Sequence, residues 1–255
     1  MKKNNKLTND IIDFTKELKL PGIRNNFIEE IKESTKNNEK YDVFLHKLLQ
    51  LEYDLRMENR KTARIRYAGF PFKKTIEDLD VDYLSDEAVK YLNSLETLEF
   101  LKTGQNVILT GNPGRGKTHL AIGLGIKACL KGLRVLFTSI PHLIIQLKES
   151  HSERTLRALG NKFEKYDLVI ADELGYISFD KEAAELLFTH LSLRIGRKST
   201  IITTNLTFDR WDEIFGDTVL TAAIVDRLTH KAFLIDMSGD SFRLKETRDW
   251  INKSN

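Results

Sequence analysis

The sequence predicts an α/β protein in which a parallel, helix-covered sheet follows a small all-helical N-terminal domain. Three observations carry this expectation. From residue 107 onward, short apolar stretches alternate with segments of helical period. A glycine-rich turn joins the first of those stretches to the first of those helices. Residues 8–65, by contrast, show helical spacing and nothing that reads as a strand.

In the N-terminal part, Ile11, Ile12, Phe14 and Leu18 open an amphipathic helix that Pro21-Gly22 interrupts. Phe27, Ile28 and Ile31 continue on a second helix as far as Asn37-Asn38. Phe44, Leu45, Leu48, Leu49, Leu51, Leu55 and Met57 then space a third. The pattern breaks at Gly69-Phe70-Pro71-Phe72, which sets a boundary at 67–75. The expected division is a basic helical domain over 1–67, a linker with connecting helices over 68–100, and the α/β domain over 101–255. There, 107–110, 134–138, 167–172, 200–203 and 232–236 read as strands. Helices are expected over 117–130, 181–195, 208–215 and 219–230. The 28 residues from 139 to 166 exceed one crossover helix and predict two. Strands alternating with helices require a parallel sheet buried on both faces. Only 19 residues follow Asp236, too few for a separate helical lid.

Composition narrows the class. With 41% apolar and 30% charged residues, the 255-residue chain is globular rather than disordered or fibrous. No apolar run approaches the roughly 18 residues of a membrane helix, and the basic start MKKNNK has no apolar stretch behind it to make a signal peptide. Cys129 is the sole cysteine, which excludes a disulfide framework and a cysteine zinc cluster. A cytoplasmic protein without a membrane partner is expected. The net charge of +3 is uneven: residues 1–75 carry 17 Lys and Arg against 11 Asp and Glu, and residues 76–255 carry 23 against 26. Arg56, Arg60, Lys61, Arg64 and Arg66, with Lys73 and Lys74 beyond them, form a block suited to a phosphate backbone. A solvated basic helix end is the plainer reading. Lys148, Arg154 and Arg157, on the extra helices after the second strand, are a second DNA-facing candidate, although Glu149 and Glu153 are interleaved.

The chemistry concentrates after the first strand. Gly111-Asn112-Pro113-Gly114-Arg115-Gly116-Lys117-Thr118 fits GxxxxGK[ST] between a strand and a helix, the context that the motif requires. The glycines let backbone N–H groups close on phosphates, and the helix N-terminus adds partial positive charge. Lys117 would reach the β- and γ-phosphates of ATP, and the Thr118 hydroxyl would hold Mg²⁺. His119 is grouped with the loop, although a packed helix residue explains it as well. Asp172-Glu173 ends the third strand, where open parallel sheets place their ligands. Asp172 would support Mg²⁺, and Glu173 would polarise the attacking water. Asn205, at the end of the fourth strand, could hold the γ-phosphate or the water by its neutral amide, with Thr204 a lesser candidate. Arg227, distant in sequence from the loop, could serve a neighbouring subunit's γ-phosphate as an arginine finger; a salt bridge to Asp226 or Asp217 is the alternative. Arg243 is a further candidate for the nucleotide.

In this order, the motifs resemble the AAA+ ATPases of the IstB family, helper proteins encoded beside insertion-sequence transposases. The resemblance runs from Leu18-Lys-Leu-Pro-Gly-Ile23 through Gly116-Lys-Thr-His-Leu-Ala121, Asp172-Glu-Leu-Gly-Tyr176 and Phe215-Gly-Asp217. It continues through Ala222–Leu228 with Asp226-Arg227 to Ser241-Phe-Arg-Leu-Lys245. It implies a lidless AAA+ domain with a five-stranded sheet in the order 5-1-4-3-2. It also implies an ATP-regulated homo-oligomer on double-stranded DNA that recruits and stimulates a transposase. Three positions depart from the family pattern. Arg115 stands where a small or polar residue is usual, Ile177-Ser178 where Leu-Pro is usual, and Phe242 where Tyr is usual.

Rival readings make different demands. A DnaC-type replicative helicase loader is similar across the same core, but the LKLPGI helical domain and the absence of a cysteine-rich N-terminal module speak against it. A P-loop small-molecule kinase would have little use for the Glu173–Asn205 pair. A nucleotide-gated scaffold that scarcely hydrolyses would not need Glu173, and hydrolysis rates with and without DNA separate it.

Overall fold

The structure, a computed structural model, describes residues 2–81 and 84–239. It divides into two compact units, Met1–Ala63 and Arg64–Asn255. The first is built from α1 (Lys2–Glu17), α2 (Pro21–Lys36) and the greater part of α3 (Tyr41–Tyr67). α1 closes with Lys19 at φ +55°; the Leu20 N–H donates to the Thr15 carbonyl at 2.8 Å and the Lys19 N–H to that of Lys16 at 3.1 Å. These are the two bonds of a Schellman end. Pro21 then starts α2, where its missing N–H costs nothing.

No side chain on Leu20 caps α2, so its free N–H groups are met by α3 instead. Glu52 Oε2 accepts from the N–H of Gly22 at 2.7 Å and of Ile23 at 3.3 Å. Its Oε1 accepts from Arg56 Nε at 2.7 Å, and Arg56 Nη2 donates to the Lys19 carbonyl at 2.8 Å. α3 passes so near that a Cβ on Gly22 would lie 2.8 Å from Glu52 Cα. The Leu-Pro-Gly-Ile sequence is therefore a helix junction clamped by one carboxylate and one guanidinium. Phe27 and Leu48 are buried, whereas Phe14, Leu18, Ile28, Ile31, Leu45 and Leu49, which the periodicity assigns to apolar helix faces, are exposed. Three short-contact helices enclose too little volume to cover all of those faces.

The second unit contains α4 (Asp86–Thr97), α5 (Phe100–Thr103), β1 (Val107–Thr110), α6 (Lys117–Leu130) and β2 (Val135–Ser139). α7 (Ile140–Ser152), α8 (Leu156–Glu164), β3 (Leu168–Leu174), α9 (Lys181–Ser192) and β4 (Ser199–Thr204) follow. A 3₁₀ turn (Phe208–Arg210), α10 (Asp212–Phe215), α11 (Thr218–Thr229) and β5 (Phe233–Asp236) complete the described chain. The strands pair in parallel in the order β2-β3-β4-β1-β5, the expected order read from the other edge. The two helices foreseen in 139–166 are α7 and α8. Alternation along the strands feeds two cores. Val107, Leu109, Leu168 and Ile170 face α4 and α6, while Ile108, Val169 and Ala171 face α7, α9 and α11.

The compact division lies inside α3, ahead of the Gly69-Phe70-Pro71-Phe72 break. Ala68 is fully buried, and its carbonyl accepts from the Phe137 N–H at 2.7 Å, which ties this stretch to β2. Arg194 is 1% exposed and donates to the carbonyls of Phe163, Tyr166 and Ser199, holding the starts of β3 and β4 together. Burial pushes its guanidinium down to about 10, well above neutral pH. Cys129 is fully buried, and burial pushes its thiol up to about 11. Among the described residues, no helix is long and apolar enough to cross a membrane.

Burial pushes the Glu52 carboxyl up, but Arg56 and the two backbone N–H groups outweigh it and hold the group below its ordinary value. A carboxylate depressed in this way stabilises the fold above that ordinary value, and the contribution is lost as pH falls through the folded one. Acidification to below the ordinary carboxylate range should therefore open the α1–α2 junction. Glu52→Ala should do so at neutral pH, with exchange of the Gly22 and Ile23 amides about 10- to 100-fold faster in hydrogen-exchange measurements, as loss of about 1–3 kcal/mol implies.

Candidate active site

β1 runs into the glycine-rich loop, and α6 leaves it. Gly111, Gly114 and Gly116 hold φ of +131°, +79° and +83°. Gly116 is the N-cap of α6, so the N–H groups of the helix's first turn open towards the loop. Lys117 Nζ donates to the carbonyls of Gly111 at 2.6 Å and Asn112 at 2.8 Å, folding back over the loop. The Arg115 side chain turns the other way, donating to the carbonyls of Met237 and Ser238 at 3.3 Å each. His119 Nε2 donates to the Thr75 carbonyl at 2.8 Å, so its ring braces the 75–79 segment.

Asp172 is 5% exposed, and its Oδ1 accepts from two hydroxyls: Thr118 at 2.9 Å and Thr203 of β4 at 2.5 Å. Beyond it the register shifts. Ala171 pairs with Ile202 and Leu174 with Thr204, so two residues of β3 oppose one of β4. This bulge places Glu173 at φ +66°, and its N–H donates to Thr203 Oγ1 at 3.0 Å. In a regular strand, successive side chains leave opposite faces. The bulge re-aims Glu173, so that Asp172 meets Thr118 while its neighbour faces the same cavity.

That cavity has a volume of about 520 Å³, within the range of small-molecule sites. Residues 113–119, Glu173, Tyr176, Thr203 and Thr204 form its polar side. Phe72, Leu79 and Leu84 supply apolar wall, with Lys74, Asp78 and Asp80 beside them. Phe70 is not part of the wall; it packs edge-on against Phe137, with ring centroids 6.2 Å apart. The Thr118 hydroxyl and Asp172 carboxylate are hard oxygen donors side by side. That donor set fits Mg²⁺, which takes one or two protein oxygens along with phosphate and water.

Other candidates lie elsewhere. Asn205 lines a neighbouring cavity of about 400 Å³, which shares Pro113 and Tyr176 with the first. Among the described residues its buried Oδ1 has no hydrogen-bond partner, and a Cβ on Gly175 would lie 2.8 Å from it. Arg227 is exposed on α11, 4.9 Å above the Phe188 ring, with Nη1 donating to Ser192 Oγ at 3.4 Å. It lines a third cavity with Arg197, away from its own loop. Arg56 is committed to Glu52 and Lys19, Lys61 to Glu58, and Lys148 to Asp180. Arg60 lies beside Met57, Arg66 covers the Tyr67 ring at 4.9 Å, and Arg64 is near Gly132. Arg154 and Arg157 are exposed. Arg243, with the rest of Ser241–Lys245, lies outside the described residues. The structure adds Thr203, which sequence reasoning passed over; a hydroxyl beside the strand's terminal Thr204-Asn205 was the available signal.

Residues 14–249 match the family of IstB-like ATP binding proteins. The chain belongs to that family. This IstB-like chain is 38% identical over 218 residues to the insertion sequence IS21 ATP-binding protein of Pseudomonas aeruginosa, covering 86% of this chain and 82% of that one. It is 33% identical to the IS232 ATP-binding protein of Bacillus thuringiensis subsp. berliner, covering 90% and 92%. Among solved structures, AMPPCP-bound DnaA from Aquifex aeolicus superposes with a TM-score of 0.56 at 19% identity, over 72% of this chain and 56% of that one. DnaI superposes with a TM-score of 0.55 at 21% identity, over 66% and 90%. These likenesses identify the AAA+ fold.

Thr203→Val keeps the β-branched shape but removes the hydroxyl shared by Asp172 and the Glu173 amide. ATP binding should weaken about tenfold, read by titration of a fluorescent ATP analogue.

Proposed function

We propose that this IstB-like chain is a Mg²⁺-dependent ATPase that assembles on double-stranded DNA and recruits and stimulates the transposase of an insertion sequence. The observation that carries the reading is Glu173, turned by the β3 bulge into the P-loop cavity one residue beyond the Asp172–Thr118 pair. The loop N–H groups and Lys117 would bind the triphosphate, Lys117 exchanging its loop carbonyls for phosphate oxygens. Thr118 and Asp172 would hold Mg²⁺, which when bound neutralises charge on the β- and γ-oxygens. Glu173 would take a proton from water attacking the γ-phosphorus, as the bond to the β–γ bridging oxygen breaks and ADP leaves. The unpartnered Asn205 Oδ1 could accept from that water or from a neighbouring donor.

The position of Arg227 supports action in trans, since its guanidinium lies against Phe188 rather than in its own cavity. Self-association would then complete each site, and ATP occupancy would report assembly. Arg60, Arg64, Arg66, Arg154 and Arg157 are the proposed DNA contacts, because Arg56 and Lys148 already hold carboxylates. The transposase assignment rests on the insertion-sequence names of the relatives.

Glu173→Gln should lower hydrolysis about 100-fold or more while retaining ATP, and should trap the protein on DNA. Binding of that variant to duplex and single-stranded DNA of equal length tests the reading. ATP-dependent preference for the duplex supports it, preference for single strands replaces it with a helicase loader, and binding to neither removes the DNA role. Arg227→Ala should bind ATP but not hydrolyse it. Mixed with Glu173→Gln, it should recover activity in a phosphate-release assay, since each variant supplies what the other lacks; no recovery excludes the finger in trans.

A further inference from the structure

The segment after β5 is gripped by the P-loop at three positions. Gly111 approaches so closely that a Cβ there would lie 2.6 Å from the Met237 carbonyl carbon. Asn112 Nδ2 donates to the Gly239 carbonyl at 3.5 Å. Arg115, only 9% exposed, donates Nε to the Met237 carbonyl and Nη2 to the Ser238 carbonyl. The segment is shaped to receive it: Gly239 stands at φ +136°, and a Cβ on it would meet Arg115 Nη2 at 2.6 Å. From the strand side, the Met237 N–H donates to the Thr110 carbonyl at 2.8 Å, while Ser238 folds its N–H and hydroxyl onto Asp236 Oδ1 at 2.9 and 2.6 Å.

A buried guanidinium is tolerated only when its donors are met, so these carbonyls hold Arg115 as firmly as it holds them. The other end of the contact lies beside Lys117. Lys117 donates to Gly111 and Asn112, the two residues that touch Met237 and Gly239. A triphosphate that draws Lys117 away frees both carbonyls and resets the loop at the points where it meets the segment.

We infer that Arg115 is a positioning residue that couples nucleotide occupancy of the P-loop to the anchoring of residues 237–239. The inference rests on ATP binding in the proposed site, but not on hydrolysis or DNA. Coupling of this kind is reciprocal. ATP tightens the segment, and a tension applied to the chain beyond residue 239 weakens ATP binding.

The test uses the full-length protein, a fluorescent ATP analogue and hydrogen exchange across residues 236–239. In the unaltered chain a non-hydrolysable ATP analogue should slow exchange of this segment about fivefold. Arg115→Thr should exchange faster without nucleotide, lose the slowing, and bind the analogue about five- to tenfold more weakly. Exchange elsewhere in the protein should stay as in the unaltered chain, a split that general damage would not produce. Gly239→Ala should reproduce these effects from the segment side, and Arg115→Lys should fall between, because an ammonium cannot hold two carbonyls in a fork. Unaltered analogue binding with intact nucleotide-dependent protection, in Arg115→Thr or Gly239→Ala, overturns the inference; if Arg115→Thr does not fold, Gly239→Ala decides alone. Lost hydrolysis or DNA binding leaves these binding and exchange readouts intact, so failure of the proposed function is distinguishable.

Discussion

One carboxylate oxygen holds the site together. Asp172 Oδ1 accepts hydroxyls from α6 and from β4 while itself ending β3, so three elements meet at a single acceptor. A carboxylate so deeply buried is costly unless its lone pairs are met, and two hydroxyl donors meet them without adding a competing charge. Thr203 then serves twice, since the oxygen that donates to Asp172 also accepts the Glu173 N–H. The bulge is fixed by that second bond. Helix, sheet and acid are thereby placed in one arrangement, with the strained backbone of Glu173 carried by its neighbours.

Four cations of this chain are turned towards its own backbone. Arg56 takes the end of α1, Arg194 bridges strand starts, Arg115 grips the post-β5 segment, and Lys117 lies on its own loop. Such donors fix chain paths that no apolar contact specifies, because a carbonyl has a direction and a methyl group has none. The basic character of the sequence is thus partly internal. Net charge overstates the free positive surface available to a phosphate backbone.

The fold was readable wherever period and punctuation agree. Short apolar strands, the P-loop between β1 and α6, and an over-long crossover resolved into α7 and α8 all follow from local pattern. Strand order did not; it came with the family resemblance, because periodicity says nothing about which parallel strand lies beside which. The loop, Asp172 and Glu173 were found by motif, yet the bulge that aims Glu173 was invisible, since an extra residue in a ladder has no side-chain signature. Asn205 was assigned to the phosphate from its position at a strand end, and in the structure it lines the adjoining cavity, which shares Pro113 and Tyr176 with the first. In the helical N-terminal part, spacing marked Leu45 and Leu49 as one apolar face but could not tell a covered face from an open one.

The buried cysteine has a practical corollary. Cys129 is the only thiol in the sequence, it is sealed between α6 and the sheet, and it stays protonated far above neutral pH. An alkylating dye needs an accessible thiolate, and burial shields Cys129 from one. Any cysteine introduced on the surface becomes the sole handle for a fluorophore or spin label, without first stripping the protein of its own.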